Sequence, residues 1–166
     1  MRLLQVQSRT LFLLAATGCA ALMGFSLYLQ HSMGLEPCPL CISQRIAMTA
    51  LGVMLLITAI HNPGVTGYRV YGALTTFLGL VGAALAARQL WVQSLSPEEM
   101  LECKPPIEFL IDILPFTEIV QMMLTGTGDC GEVQWVFLGL SIPGWTLVMF
   151  SGFTLFGLFE LCRKKD

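Results

Sequence analysis

The fold is decided by the stretch VYGALTTFLGLVGAALAARQLWV, residues 70–92, which carries a single charge, at Arg88. As an α-helix rising about 1.5 Å per residue, this stretch crosses a hydrocarbon core of about 30 Å and satisfies its own backbone hydrogen bonds. Further apolar runs of similar length lie at about residues 10–29, 42–60 and 142–161. The sequence therefore predicts an all-α membrane protein in which a single domain, residues 1–166, forms a bundle of four transmembrane helices.

The composition of the chain agrees with this class of protein. Of its 166 residues, 55% are hydrophobic and 12% are charged, about half the charge density of a soluble domain, which argues against a soluble enzyme. The net charge of −2 leaves no basic surface for nucleic acid. The first run continues ten residues past Cys19, too long for a cleaved signal peptide, so a retained signal-anchor helix is favoured. Small residues in the last two runs predict close helix contacts: Gly72, Gly79, Gly82, Ala83, Ala86, Gly152 and Gly157.

The basic residues predict the orientation of the bundle. Six of the nine Lys and Arg flank one side of it: Arg2, Arg9, Arg69, Arg163, Lys164 and Lys165. Basic residues mark the cytoplasmic side, so both termini lie inside, and the loops at about 30–41 and 93–141 lie outside. The longer loop is acidic. Apolar residues at helical spacing in this loop predict a short amphipathic helix on the membrane surface: Ile107, Leu110, Ile111, Leu114, Ile119, Met122 and Met123. The stretch Thr125–Asp129 is then predicted to be a flexible turn.

This topology sorts the six cysteines. Cys19 and Cys162 fall in or at the end of a span, where a small apolar or boundary residue is the simplest interpretation. The other four lie outside, where thiols persist as disulfides: Cys38, Cys41, Cys103 and Cys130. A bridge between Cys103 and Cys130 would close a loop of 26 residues, either to meet another protein or as a structural staple. Zinc is disfavoured, because a structural zinc site needs two closely spaced pairs.

The first outer pair forms a CxxC motif, Cys38-Pro39-Leu40-Cys41. Cys41 is expected at the N-terminal end of the second span, where the helix dipole favours a thiolate, and Arg45 follows four residues later on the same face. These features predict a reactive Cys41 with a lowered pKa and a labile bridge to Cys38. The alternative is a bridge that only staples the loop.

Two arginines lie within spans and require a reason of their own. Arg45 either snorkels to the outer interface or hydrogen-bonds a polar head group held between the helices. Arg88 and Gln89 reach the same depth from the third span and are candidates for the same pocket. Arg88 beside Trp91 could equally be an interfacial anchor.

The stretch GDCGEVQWVFLGLSIPGW, residues 128–145, together with the four spans and the CxxC motif with Arg45, resembles the DsbB family. The resemblance covers nearly the whole chain. It implies a protein of the bacterial inner membrane that reoxidises DsbA, a soluble periplasmic thiol oxidant, and passes the electrons to membrane quinone. By this resemblance, Cys103 and Cys130 exchange with DsbA, most directly through Cys103. Cys38 and Cys41 then lie next to the quinone, Cys41 as the thiolate that contacts it and Arg45 as its support.

The resemblance leaves several points open. Family members can carry a histidine near the outer end of the third span, whereas this chain has Gln89, which can hydrogen-bond a quinone oxygen but cannot donate a proton near neutral pH. The sequence does not choose between ubiquinone and menaquinone. Two rival interpretations are a membrane oxidoreductase resembling vitamin K epoxide reductase and a non-enzymatic four-helix protein with two structural disulfides.

Overall fold

The computed structural model describes residues 2–95 and 115–163, with side chains from Ser8 onward. Its long helices are α1 (Arg2–Met33), α2 (Pro39–His61), α3 (Val65–Gln93) and α5 (Ile142–Cys162). A short helix, α4 (Phe116–Thr125), a 3₁₀ turn at Gly128–Gly131 and a two-stranded hairpin, β1 (Val136–Phe137) and β2 (Leu140–Ser141), lie between α3 and α5. Within the described residues, four helices are long and apolar enough to cross a membrane. The predicted four-helix membrane bundle is confirmed, with helices that extend several residues beyond the predicted spans.

Local sequence signals set the ends of the helices. Pro39 occupies the first turn of α2, where its missing N–H costs nothing, and Cys38 is the N-cap with extended backbone. At the other end of α2, Asn62 adopts a left-handed conformation (φ 44°) and is followed by Pro63, which stops the helix. The short connection to α3 makes these two helices antiparallel neighbours.

The tightest helix contact joins α3 and α5, and glycines make it possible. A Cβ atom at Gly82 would lie 2.2 Å from the Phe150 ring, and one at Gly79 would lie 2.5 Å from Thr154 Oγ1. Close backbone approach is the usual way in which helices associate in lipid, and these contacts confirm the predicted role of both residues. Gly152, by contrast, has nothing within 4 Å of its Cβ position and is not part of the contact.

A buried polar cluster lies at the end of the bundle opposite the outer loops. Glu160 is fully buried and accepts hydrogen bonds from Ser8 Oγ at 3.3 Å and from Arg163 Nη1 at 3.1 Å. The cluster ties the start of α1 to the end of α5. The described cysteines near the outer loops therefore lie at the other end of the molecule.

Part of the outer loop between α3 and α5 packs against α2. α4 packs on α2, where Ser43 Oγ donates to the Met123 carbonyl at 2.7 Å. This helix contains the second part of the predicted amphipathic segment, whereas residues 107–114 lie outside the described residues. Within the predicted turn, Thr127 is buried, and the chain from Gly128 to Gly131 forms a 3₁₀ turn against α2 and α3.

Candidate active site: three thiols beside an apolar cavity

The CxxC motif brings its two sulfurs together at the start of α2. Cys38 caps the helix and Cys41 lies in its first turn, so the spacing of three residues places both side chains on one side. Their Sγ atoms are 3.2 Å apart, and both side chains are partly buried. The geometry is that of a dithiol pair that can close and reopen without a large backbone movement.

Cys130 is brought against this pair by the 3₁₀ turn. Its thiol is fully buried, hydrogen-bonds with Cys38 and packs with Leu40 and Val92. Gly126 lets the chain approach this closely, because it has a φ of +84° and a Cβ there would lie 2.7 Å from Leu40 Cδ1. The structure therefore joins a cysteine of the long outer loop to the CxxC motif. Cys103, its predicted partner, lies outside the described residues.

The proton shared by Cys38 and Cys130 is held unequally. The hydrogen bond from Cys38, with further hydrogen bonds from the backbone at Thr127 and Leu40, lowers the pKa of Cys130 to about 6 in spite of its burial. The same hydrogen bond to Cys130, followed by that to Cys41, raises the pKa of Cys38. At neutral pH, Cys130 is accordingly the thiolate of the two and Cys38 is the thiol.

Gln89 of α3 contacts both sulfurs of the CxxC motif. Its Nε2 is 3.2 Å from Cys41 Sγ and 3.4 Å from Cys38 Sγ. Its Oε1 accepts a hydrogen bond of 2.6 Å from Nε2 of Gln44, and both amides are almost fully buried. Gln44 was not singled out from the sequence. The available signal was an amide inside an apolar span, one position before Arg45.

Arg45 is held by α1. Its Nε donates to Ser26 Oγ at 2.8 Å, its Nη2 to the Ser26 carbonyl at 3.2 Å, and its Nη1 to Gln30 Oε1. The guanidinium is partly buried and fixed in direction by these bonds. Both Arg45 and its partners on α1 lie on the wall of a cavity.

This cavity has a volume of about 530 Å³ and extends from Cys41 between α1, α2 and α5. Its apolar wall consists mainly of aliphatic and methionine side chains, with an aromatic side that is formed by Phe25, Trp135, Phe137 and Trp145. The aromatic side is rigid, because Trp135 stacks on Phe137 and Trp145 Nε1 donates to the Phe137 carbonyl at 3.0 Å. Ligand pockets are typically about 300–1,000 Å³, mostly apolar and with few polar groups.

A quinone head group fits this wall. Its flat ring matches the aromatic side, and its carbonyl oxygens require a donor, which Arg45 would supply from the polar side. The aromatic wall was not predicted from the sequence, although Trp135, Phe137 and Trp145 all lie in residues 128–145, which carry the resemblance to the DsbB family.

The other predicted positions lie elsewhere. Arg88 donates to the Thr125 carbonyl at 3.3 Å, and its guanidinium lies 4.2 Å from the centre of the Trp91 ring. It is not among the residues that line the cavity, and this geometry favours the interfacial anchor. Cys19 is buried beside Gly52, and Cys162 is exposed at the other end of the bundle. Neither thiol is near the site.

Clustered thiols beside an apolar cavity, in a bundle that crosses the membrane, define a membrane thiol–disulfide oxidoreductase. The sequence model of the family "Disulfide bond formation protein DsbB" matches residues 8–159, and the chain belongs to this family. A "Disulfide bond formation protein B" of Hahella chejuensis is 52% identical over 157 residues, covering 95% of both chains. Proteins of the same name from Stutzerimonas stutzeri (44%; 94% of this chain and 96% of the relative) and Chromobacterium violaceum (43%; 98% of both) are similar over 156 and 162 residues.

Family membership confirms the predicted class, an oxidoreductase that generates disulfide bonds. It excludes the rival interpretation as a four-helix protein with only structural disulfides. It also decides against the likeness to vitamin K epoxide reductase. The predicted fold and family were thus both correct.

Proposed function

We propose that this protein reoxidises a DsbA-type periplasmic dithiol oxidase and passes the electrons to membrane quinone, either ubiquinone or menaquinone. The observation that carries the proposal is a continuous line of groups. Cys130 of the outer loop contacts Cys38, Cys38 contacts Cys41, and Cys41 lies on the wall of the apolar cavity. Electrons that enter at the loop can leave at the cavity by exchanges between neighbouring sulfurs.

The first exchange takes electrons from the partner. A partner thiolate attacks the Cys103–Cys130 disulfide, at Cys103 by family resemblance, and forms a mixed disulfide. The partner's second thiolate then releases the loop. The products are the oxidised partner and the Cys103 and Cys130 thiols, which carry two electrons and two protons.

The second exchange passes these electrons inward. The Cys130 thiolate attacks Sγ of Cys38 in the Cys38–Cys41 disulfide, and Cys41 leaves as a thiolate. Cys103 then attacks Cys130, which restores the loop disulfide and releases Cys38. With Cys38 in a disulfide its thiol no longer donates to Cys130, and the backbone hydrogen bonds at Thr127 and Leu40 remain to stabilise the attacking thiolate. The leaving sulfur of Cys41 meets Nε2 of Gln89 at 3.2 Å, a donor that stabilises the departing charge.

The cavity would hold the acceptor. The Cys38–Cys41 dithiol would give up two electrons and two protons to a quinone bound there. Arg45 supports it with a guanidinium that Ser26 and Gln30 have already oriented. Most of the wall is apolar, and a hydrogen bond from a charged donor is stronger in such surroundings than in water. Gln89 is not among the residues that line the cavity, and its amide hydrogen-bonds the sulfurs of Cys38 and Cys41 instead.

We place the protein in the bacterial inner membrane with both termini in the cytoplasm and the cysteine pairs in the periplasm. The support is the bias of the basic residues in the sequence to one side of the four spans and the location of the Cys38, Cys41 and Cys130 thiols near the outer loops at the other. The oxidising periplasm suits thiols that must cycle through disulfides.

The test is turnover by the purified protein. In detergent with ubiquinone or menaquinone, the protein should oxidise a reduced DsbA-type protein, followed by the loss of the partner's free thiols. Cys41→Ser should abolish this turnover, because the relay ends at that sulfur. Cys162→Ser, which removes an exposed thiol at the opposite end, is the matched control and should retain the full rate. An undiminished rate in Cys41→Ser would refute the relay.

A further inference from the structure

We propose that Gln44 is a positioning residue, which holds the amide of Gln89 so that its N–H₂ end faces the sulfurs of Cys41 and Cys38. The inference deepens the proposed function and rests on it, because it assigns the group that prepares Cys41 for exchange.

The geometry of the two amides carries the proposal. Gln44 Nε2 lies 2.6 Å from Gln89 Oε1, a strong hydrogen bond between α2 and α3. The other end of the Gln89 amide, Nε2, is then 3.2 Å from Cys41 Sγ and 3.4 Å from Cys38 Sγ. The Oε1 atom is farther from Cys41 Sγ, at 3.6 Å.

Burial makes this orientation consequential. Gln44 is 5% and Gln89 is 3% exposed, so bulk water does not replace either partner. Reversal of the Gln89 amide alone would set two N–H₂ groups against each other and leave a carbonyl oxygen at the sulfurs. A buried donor or acceptor without a partner is costly, so the two amides are coupled in direction.

The orientation has a chemical consequence at Cys41. An N–H donor stabilises a thiolate, whereas a carbonyl oxygen repels it. The thiolate is the nucleophile and the leaving group of disulfide exchange. Gln44 can thus control how readily Cys41 reacts without contacting its sulfur, because its hydrogen bond determines which end of the Gln89 amide faces that sulfur.

The experiment reverses the amide. In Gln44→Glu, the carboxylate can only accept, so it draws the N–H₂ end of Gln89 toward itself and turns the carbonyl toward Cys41. The readout is the rate at which iodoacetamide alkylates Cys41 at pH 7 in the reduced, detergent-solubilised protein, measured on the Cys41 peptide by mass spectrometry. We expect this rate to fall about tenfold. Gln44→Leu, which removes the donor without adding charge, should lower it less, about threefold.

Two controls separate positioning from charge. Gln93→Glu places a carboxylate near the same sulfurs, in the small polar cavity that both cysteines line, and leaves the Gln44–Gln89 pair intact. A nearby negative charge alone disfavours a thiolate, so Gln93→Glu measures the effect of charge, and its fall in rate should be smaller than that of Gln44→Glu. In a Gln89→Leu background, the neutral Gln44→Leu should have no further effect, because no amide remains to be turned.

The outcomes decide the proposal independently of turnover. A fall with Gln44→Leu that vanishes in the Gln89→Leu background supports it, together with a fall in Gln44→Glu larger than that in Gln93→Glu. Unchanged alkylation in Gln44→Glu and Gln44→Leu, or an equal fall with Gln44→Leu in the Gln89→Leu background, would overturn it. Helix content by circular dichroism identifies a misfolded variant, for which the milder Gln44→Leu gives the answer. Neither quinone nor partner is present in this assay, so a failure of the proposed relay would appear in the turnover test and not here.

Discussion

Replacement of Cys38 by alanine should switch off the thiolate of Cys130. The hydrogen bond from Cys38 is the largest cause of the lowered pKa of Cys130, which is about 6. A lowered pKa means that the thiolate is present above pH 6. Without the bond, the pKa should return toward about 8.5, so that at pH 7 the thiolate fraction falls from about 90% to about 3%, about 30-fold.

The assay is alkylation of Cys130 as a function of pH in the reduced protein, followed on its own peptide by mass spectrometry. Cys130 is fully buried, so alkylation also requires a local opening, but the midpoint of the pH profile does not depend on that factor. The midpoint should move from near pH 6 to near 8.5 in Cys38→Ala.

Cys41→Ala is the matched control for this prediction. It removes a contact of Cys38 and leaves the hydrogen bond between Cys38 and Cys130 in place. Its midpoint should remain near pH 6. If Cys38→Ala also left the midpoint there, the hydrogen bond between the two thiols would not be the cause of the acidity of Cys130 in the reduced protein.

Two further predictions concern the cavity and the bundle. Arg45→Gln should weaken quinone binding about tenfold, measured by quenching of tryptophan fluorescence, because it removes a charged donor from the cavity wall. Arg88→Gln, at a residue that does not line the cavity, should leave binding unchanged. The reverse order would contradict the assignment of Arg45 to the quinone site. Gly82→Ala should destabilise the bundle by about 1–3 kcal/mol, measured by thermal unfolding in detergent, since its Cβ would enter the Phe150 ring. Gly152→Ala, with open space around it, should be nearly neutral, and equal losses in both would contradict the packing argument.

The comparison of sequence with structure shows where local patterns suffice. The four spans follow from hydropathy alone, because a segment in lipid must satisfy its own backbone and only a long apolar helix does so. The start of α2 was also predictable from local sequence. A proline such as Pro39 of the CxxC motif is favoured in the first turn of a helix wherever that helix packs.

The direction of side chains at equal depth was not predictable. Arg45 and Arg88 both lie near the outer ends of their spans, and the sequence left open which of them faces the cavity. The structure turns Arg45 to Ser26 on α1 and Arg88 to Thr125 on α4. Helix rotation is set by packing against the neighbours, in which contacts such as that of Gly82 with Phe150 take part.

By itself, the sequence determined the four membrane spans and placed a CxxC motif at the start of the second, because hydropathy and motif spacing are properties of contiguous residues. The oxidoreductase class came from the resemblance of residues 128–145 to the DsbB family. Only the tertiary structure decided that Cys130 contacts Cys38, that Gln44 pairs with Gln89, and that an aromatic wall lies beside Cys41. These groups are distant in the chain. Their contact depends on how an outer loop folds back and which helix faces meet, and no local pattern encodes either.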